Sequence, residues 1–169
     1  KNFIRLINQE QSPLFSQIIK DLRAIIQSYG ITGGIGFIKK AKKEPGLNKS
    51  DMNMLKIIES ILYLKVKNYY RAFDSFKKNF PQYHSLRLPR FLSHIYFPRD
   101  YTDLIDHYSA LHDIDNMLIY AIIRNESFFN KNVMSSARAC GLMQLILQTA
   151  RETGRKHGIK RISRKDLFD

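Results

Sequence analysis

The feature that most constrains the fold is a helical spacing of apolar residues along almost the whole chain. The first set, spaced three or four residues apart, comprises Leu14, Ile18, Leu22, Ile25 and Ile26. A second run follows Ser50 or Asp51, and a third begins near Asn68. The spacing predicts an all-α fold.

Local signals predict where the first helices begin and end. Ser12 followed by Pro13 is typical of an N-cap and the first helical position. The glycines from Gly30 to Gly36 are predicted to end the first helix at a flexible corner. Pro81 is predicted to stop the third helix.

An aromatic face on the third helix allows two interpretations. Its members are Tyr69, Phe73, Phe76 and Phe80, at steps of four, three and four. Aromatic residues interleaved with lysines occur in platforms on which nucleic-acid bases stack. A stripe buried in a helical core, with solvated lysines around it, is the more common cause of such spacing, and we favour it.

Charge and proline content divide the chain. Residues 1–90 hold 17 basic and 6 acidic residues, whereas residues 91–169 hold 11 and 9. The segment from Leu88 to Arg99 contains Pro89 and Pro98, which predicts a linker. We therefore predict a basic helical scaffold and linker segment over 1–94 and a second domain over 95–169. The strongly positive first half favours anionic partners.

Several classes of site are not supported. The acidic residues between Asp100 and Asp115 are interpreted as helix caps, with Asp100 or Thr102 starting one helix and Asp115 the next. The histidines lack the spacing of metal ligands, so we predict no metal and no cofactor. The lone Cys140 is interpreted as a small buried residue. The longest charge-free run is too short for a transmembrane segment, and the first residues do not resemble a signal peptide.

Glu126 is the candidate for chemistry. The uncharged run from Asn116 to Ile123, continued as a helix, places Glu126 on the apolar face with Ile119, Ile122 and Phe129. A carboxyl group in apolar surroundings stays protonated near neutral pH and can act as a general acid. The alternative is a glutamate at a helix end that faces water or pairs with Arg124.

An ordered set of motifs surrounds Glu126. Ala121-Ile-Ile-Arg-Asn precedes the Glu126-Ser127 pair, and Gly141-Leu-Met-Gln follows fifteen residues after the glutamate. Tyr96-Phe-Pro and Asp113-Ile-Asp115 lie upstream. Together these motifs resemble the soluble lytic transglycosylases, which cleave peptidoglycan with a goose-lysozyme-like catalytic domain. The resemblance covers about residues 95–169. It implies the N-terminal part of a lysozyme-like α domain, preceded by a helical scaffold as in larger members of the family.

The resemblance implies a role for each matching residue. Glu126 takes the place of the catalytic acid, which protonates the glycosidic oxygen between N-acetylmuramic acid and N-acetylglucosamine and then accepts the C6 hydroxyl proton, giving a 1,6-anhydro product. Ser127 matches a serine beside that acid, which implies that it supports the acid or contacts the substrate. Met143 and Gln144 match residues that line the glycan cleft, and Gly141 would allow a close backbone approach. Phe129 is expected in the core.

Three departures from the family pattern are present. Arg138 stands where the family usually has glycine. It is strained if its φ is positive, and otherwise its guanidinium could meet a substrate carboxylate. Leu147 replaces a proline at a helix start. The sequence ends at Asp169, before the family's Ala-Tyr-Asn-type motif, so we expect an incomplete catalytic domain with an open cleft and weak or no activity.

Three functions follow, in order of preference. The first is a peptidoglycan lytic transglycosylase, placed in the periplasm or cell envelope by the resemblance alone. The second is a non-catalytic peptidoglycan-binding or scaffold protein on the same fold. The third is a nucleic-acid binder, suggested only by the basic half and not expected, because no reader motif is evident. The basic half is also a candidate contact for envelope proteins.

Overall fold

The protein is a chain of helices. The computed structural model describes residues 10–82 and 89–168. Its helices are α1 (Pro13–Ala41), α2 (Lys49–Lys65), α3 (Tyr69–Asn79), α4 (Arg90–Tyr96), α5 (Thr102–His112), α6 (Asn116–Glu126) and α7 (Leu147–Lys156), followed by a short 3-10 helix, Lys165–Phe168. The described residues form isolated β-bridges but no sheet. The predicted all-α fold is confirmed. In the described part of the chain, no helix is both long and apolar enough to span a membrane.

The chain divides into two compact units, Lys1–Phe97 and Pro98–Asp169. The linker predicted around Pro89 and Pro98 is wrong for the described residues from 89 onward, because α4 lies between the two prolines. Its side chains Leu92, Ile95 and Tyr96 are buried in the core of the first unit. Burial of these apolar side chains against α2 and α3 outweighs the poor local signal for a helix.

Helix α1 bends at a single glycine. Gly30 has φ 68° and ψ −177°, whereas the residues on either side are helical. A Cβ atom on Gly34 would lie 2.7 Å from Ile26 Cγ1 and 3.3 Å from Leu22 Cδ1, so the two halves of α1 pack closely together. The predicted corner between two helices is therefore confirmed, and it lies at Gly30 alone rather than across Gly30 to Gly36. One residue makes the corner, and Gly33 and Gly34 lie in the helical segment after it and allow close packing.

The N-termini of α1 and α2 are fastened to each other. Ser12 caps α1 as predicted, since its Oγ accepts a hydrogen bond from Phe15 N. Helix α2 begins at Lys49, earlier than predicted, because Asn48 and Asp51 form a reciprocal capping box. Asp51 also accepts a hydrogen bond from Ser12 N at 3.1 Å. One buried carboxylate thus serves both helix starts.

The core of the first unit is apolar and includes an ion pair. Tyr69, Phe76 and Phe80 are buried, which confirms the core interpretation of the aromatic face. The Phe76 and Tyr96 rings meet edge to face at 5.4 Å, which joins α3 to α4. Buried Glu59 pairs with Lys42 and accepts a hydrogen bond from Ser75, which links α2 to the end of α1 and to α3.

Candidate functional site

Helix α6, which carries Glu126, is held against α5 by polar contacts at its start. Asp115 caps α6 as predicted, with its Oδ1 accepting from Met117 N at 2.8 Å. Asn116 Nδ2 donates to Asp106 Oδ1 at 2.9 Å. The Tyr120 hydroxyl donates to Thr102 Oγ1 at the start of α5 at 3.1 Å. These bonds orient α6 within the second unit.

Glu126 is the last residue of α6, and its side chain is exposed. Ile123 is 3% exposed, but Ile122, on the predicted apolar face, is 36% exposed. The prediction of a Glu126 enclosed by apolar residues is therefore wrong, because this face of α6 has no cover among the described residues. The alternative of a glutamate that faces water at a helix end is borne out, whereas its pairing with Arg124 is not seen among the described residues. Arg124 lies over the Phe128 ring at 5.2 Å, and Glu126 forms no ion pair or hydrogen bond within the described part.

The chain turns sharply after Glu126. Ser127 is buried, and both its N–H and its hydroxyl donate to Ile123 O, at 3.0 and 3.1 Å. Phe128 and Phe129 then adopt positive φ values of 51° and 60°. Phe129 is buried, as expected, with its ring 6.1 Å from that of Tyr120.

Sequence reasoning missed this pair of left-handed residues, because phenylalanine carries no signal for positive φ. Such conformations are unfavourable by roughly 1–3 kcal/mol each and persist where the surroundings impose them, often at functional sites. Here the capping bonds of Ser127 and the burial of Phe129 hold the turn. The turn fixes the direction in which the chain leaves Glu126.

The Gly141–Gln144 motif lies in a hydrogen-bonded loop. Gln144 Nε2 donates to the main-chain carbonyls of Val133 and Gly141, at 3.2 and 2.9 Å. Met143 is 41% exposed, whereas Gly141 is buried with φ +77°. A Cβ at Gly141 would lie 1.9 Å from Leu167 O, so the close approach there is made by the protein's own backbone.

The predicted site residues therefore form two groups. Glu126 and Ser127 stand at the end of α6, and Gly141, Met143 and Gln144 share one loop. In residues 10–82 and 89–168, no hydrogen bond or ion pair joins the first group to the second. Whether a glycan bridges them stays a prediction.

Three further residues behave as their local sequence indicated. Arg138 has φ +64°, so the strain expected at this position is present. Cys140 is 2% exposed, and Leu147 is the first residue of α7. Among the described residues, no group of three or more His, Cys, Asp or Glu side chains could hold a metal ion.

Comparison with known families places the second unit. Residues 103–169 match the model of the Transglycosylase SLT domain family. This match begins in α5 and includes Glu126, Ser127 and the Gly141–Gln144 loop. This match to residues 103–169 confirms the resemblance to the lytic transglycosylases that the motifs predicted.

A solved structure gives the same helical fold. It is described as an inactive Glu-to-Gln mutant of the lytic transglycosylase Slt from Pseudomonas aeruginosa. The match has a TM-score of 0.59 and 22% sequence identity, and it covers 96% of this chain. The chain spans 26% of the length of that protein. No curated protein matches the chain significantly.

Proposed function

We propose that this chain acts on peptidoglycan as a lytic transglycosylase and cleaves the β-1,4 bond between N-acetylmuramic acid and N-acetylglucosamine. The observation that carries the proposal is an exposed carboxylate at the end of α6, inside the segment that matches the transglycosylase family. A related solved structure is an inactive Glu-to-Gln mutant, which supports a glutamate as the group that the chemistry needs.

The reaction needs one carboxyl group in two protonation states. Protonated Glu126 gives its proton to the glycosidic oxygen as the bond from that oxygen to C1 of the muramic residue breaks. The muramic C6 hydroxyl oxygen then bonds to C1, and its proton passes to the Glu126 carboxylate. The product is a 1,6-anhydro sugar and no water is consumed, so one carboxylate can serve where many glycosidases use two.

Because Glu126 is exposed, the bound glycan would itself have to exclude water from the carboxyl. A sugar ring seated over the carboxyl would displace water from it. Ser127, which is buried, would act by holding the helix end in place through its bonds to Ile123. Met143 and Gln144 are the proposed contacts for the glycan, and the periplasm or cell envelope is the proposed location.

The test is to incubate purified peptidoglycan with the chain and with its Glu126→Gln variant and to identify products by mass spectrometry. We expect anhydro-muropeptides from the chain and at least ~100-fold fewer from the variant, the range expected for loss of a general acid. Glu152→Gln is the matched control, since Glu152 is also exposed and lies in the same unit. Anhydro products that persist in Glu126→Gln would contradict the role given to Glu126.

A second candidate function is binding of peptidoglycan without turnover. The observation that favours it is that the Glu126 carboxyl is exposed and no bond within the described residues fixes its position. Co-sedimentation with insoluble peptidoglycan, without release of soluble muropeptides, would support this candidate over the first.

A further inference from the structure

A groove rich in positive charge lies in the second unit, apart from the residues predicted to act on the glycan. Its volume is ≈ 620 Å³. It is lined by Arg151, Arg155, Ile159, Lys160, Arg161, Ile162 and Ser163. The lining therefore holds four cationic side chains and no carboxylate.

The two arginines from α7 are anchored through only part of their guanidinium groups. Arg151 Nε donates to Ile162 O at 2.9 Å, and Arg155 Nε donates to Arg151 O at 3.3 Å. These bonds use the Nε atoms, so the terminal nitrogens of both groups are available to a ligand. Planar guanidinium groups presented in this way suit carboxylate and phosphate oxygens.

Helix stabilisation explains this charge only in part. Arg155 lies in the last turn of α7, where a cation is favoured by the helix dipole. Lys160 and Arg161 lie beyond the helix, and none of the four cations forms an ion pair with a carboxylate of the described residues. The dipole adds roughly half a negative charge at the helix end, so the groove stays strongly positive.

The apolar part of the lining indicates which anion fits. Ile159 and Ile162 line the groove and also a neighbouring cavity of ≈ 520 Å³, where Leu145, Ala150 and Leu167 are further apolar walls. A phosphodiester polymer offers little apolar surface to such walls. A peptide carries carboxylates together with alkyl side chains and can satisfy both.

The neighbouring cavity differs from the groove because its lining includes a carboxylate. Asp166 lines that cavity, and its Oδ2 accepts hydrogen bonds from the Ser163 N–H and hydroxyl at 2.8 and 3.0 Å. These bonds hold the pKa of Asp166 below its usual value. Arg161 lines both the groove and the cavity, so Asp166 balances that cation on the cavity side, and the uncompensated positive charge lies in the groove.

We propose that the groove between α7 and the segment after it binds short peptides rich in carboxylates. The inferred occupant is an acidic segment of a protein partner, because its larger alkyl side chains can enter the neighbouring cavity of ≈ 520 Å³. The peptide stems of peptidoglycan carry carboxylates too and are an alternative outcome of the test. The proposal requires no cleavage, so it stands or falls separately from the function proposed for Glu126.

The experiment measures binding by isothermal titration calorimetry at fixed low ionic strength. The first probe is a hexapeptide of alternating Glu and Leu, and its Gln/Leu counterpart is the uncharged control. The second is a disaccharide-tetrapeptide muropeptide, titrated into the Glu126→Gln chain so that it is not consumed. The third is tripolyphosphate.

The test variant is Lys160→Gln with Arg161→Gln, because both side chains are exposed and make no hydrogen bond within the described residues. Removal of two charge contacts should weaken binding of the Glu/Leu peptide roughly tenfold. The matched control, Lys20→Gln with Arg23→Gln, removes two exposed charges from α1 and should leave binding unchanged.

Each outcome decides the proposal. A muropeptide that loses as much affinity in the variant as the Glu/Leu peptide overturns the protein occupant in favour of the stem peptide, and a muropeptide whose binding is unaffected while the Glu/Leu peptide loses affinity supports the protein occupant. Equal binding of the Glu/Leu peptide to variant and parent overturns the proposal. Binding of tripolyphosphate without binding of the peptide also overturns it and indicates a phosphate site.

Discussion

Asp51 has no exposed surface, yet its carboxylate remains the favoured form. Burial raises the pKa of Asp51, but hydrogen bonds from Ser12 and from the Asn48 main chain outweigh burial and hold that pKa below its usual value. The carboxylate accepts from Ser12 N and Asn48 N, both at 3.1 Å. A single side chain therefore completes the first turns of α1 and α2.

Replacement of the Asp51 carboxylate should show how much it contributes to the free energy of unfolding. Asp51→Asn presents an amide hydrogen-bond donor to one of two main-chain donors, which should lower the free energy of unfolding by about 1–3 kcal/mol at pH 7. Folding lowers the pKa of Asp51, so its ionised carboxylate contributes fully to the free energy of unfolding above the unfolded pKa of about 3.9. That contribution is lost as the pH falls through the lower pKa of the folded state.

Urea titrations followed by circular dichroism, at pH 7 and near the acid limit of folding, would measure the difference between the parent chain and Asp51→Asn. That difference should shrink at acid pH. Asp21→Asn is the control, because Asp21 is exposed and bonds only to Gln17 among the described residues. A difference that is the same at both pH values would contradict the role of the ionised carboxylate.

At the scale of elements, the 3-10 helix Lys165–Phe168 packs on the loop that carries the Gly141–Gln144 motif. Gly141 and Gly158 have nearly the same positive φ, +77° and +79°. A Cβ on Gly141 would lie 1.9 Å from Leu167 O, whereas a Cβ on Gly158 would meet nothing within 4 Å. The two glycines thus share one backbone requirement and differ in their packing.

Substitutions at these two glycines distinguish the cost of a positive φ from the cost of a steric clash with the 3-10 helix. Gly158→Ala should lower the free energy of unfolding by about 1 kcal/mol, since only the left-handed conformation is penalised. Gly141→Ala should lower it by about 3 kcal/mol or more, because the 3-10 helix must move as well. Thermal unfolding measures both changes, and hydrogen exchange at Leu167 should quicken only in Gly141→Ala. Equal effects of the two variants would show that the packing at Gly141 is unimportant.

At the scale of the whole molecule, the dominant property is a net charge of +13 that is concentrated in residues 1–90, where 17 basic residues face 6 acidic ones. Peptidoglycan with peptide carboxylates is an anionic polymer that suits this field. A charge-driven contact of exposed groups weakens as salt shortens the Debye length, from about 10 Å at 0.1 M to about 3 Å at 1 M.

Retention on insoluble peptidoglycan should therefore fall steeply as sodium chloride is raised from about 0.1 to 1 M. Co-sedimentation of the full chain, quantified on gels, measures this. Peptidoglycan whose carboxyl groups have been amidated is the control and should retain little of the chain at any salt concentration. Retention that does not change with salt would indicate that the basic half is not what binds the polymer.

Much of the fold could be predicted from contacts between residues close together in the sequence. The Ser12–Pro13 start of α1 and the Asp115 cap of α6 are contacts between residues two or three apart, so the sequence contains all that determines them. Helix α4 could not be predicted from the prolines that flank it, because it is stabilised by burial of Leu92 and Ile95 against helices distant in the sequence.

The candidate site divides in the same way. The sequence by itself determined the helical fold class, the family of residues 103–169 and the position of Glu126 at a helix end, because these depend on periodicity, capping and motif order. Only the tertiary structure decided that Glu126 is exposed, that Phe128 and Phe129 are left-handed, and that cations from α7 and the following segment share a groove. These features depend on which distant segments cover a side chain or meet in space, and that information is not carried by local spacing.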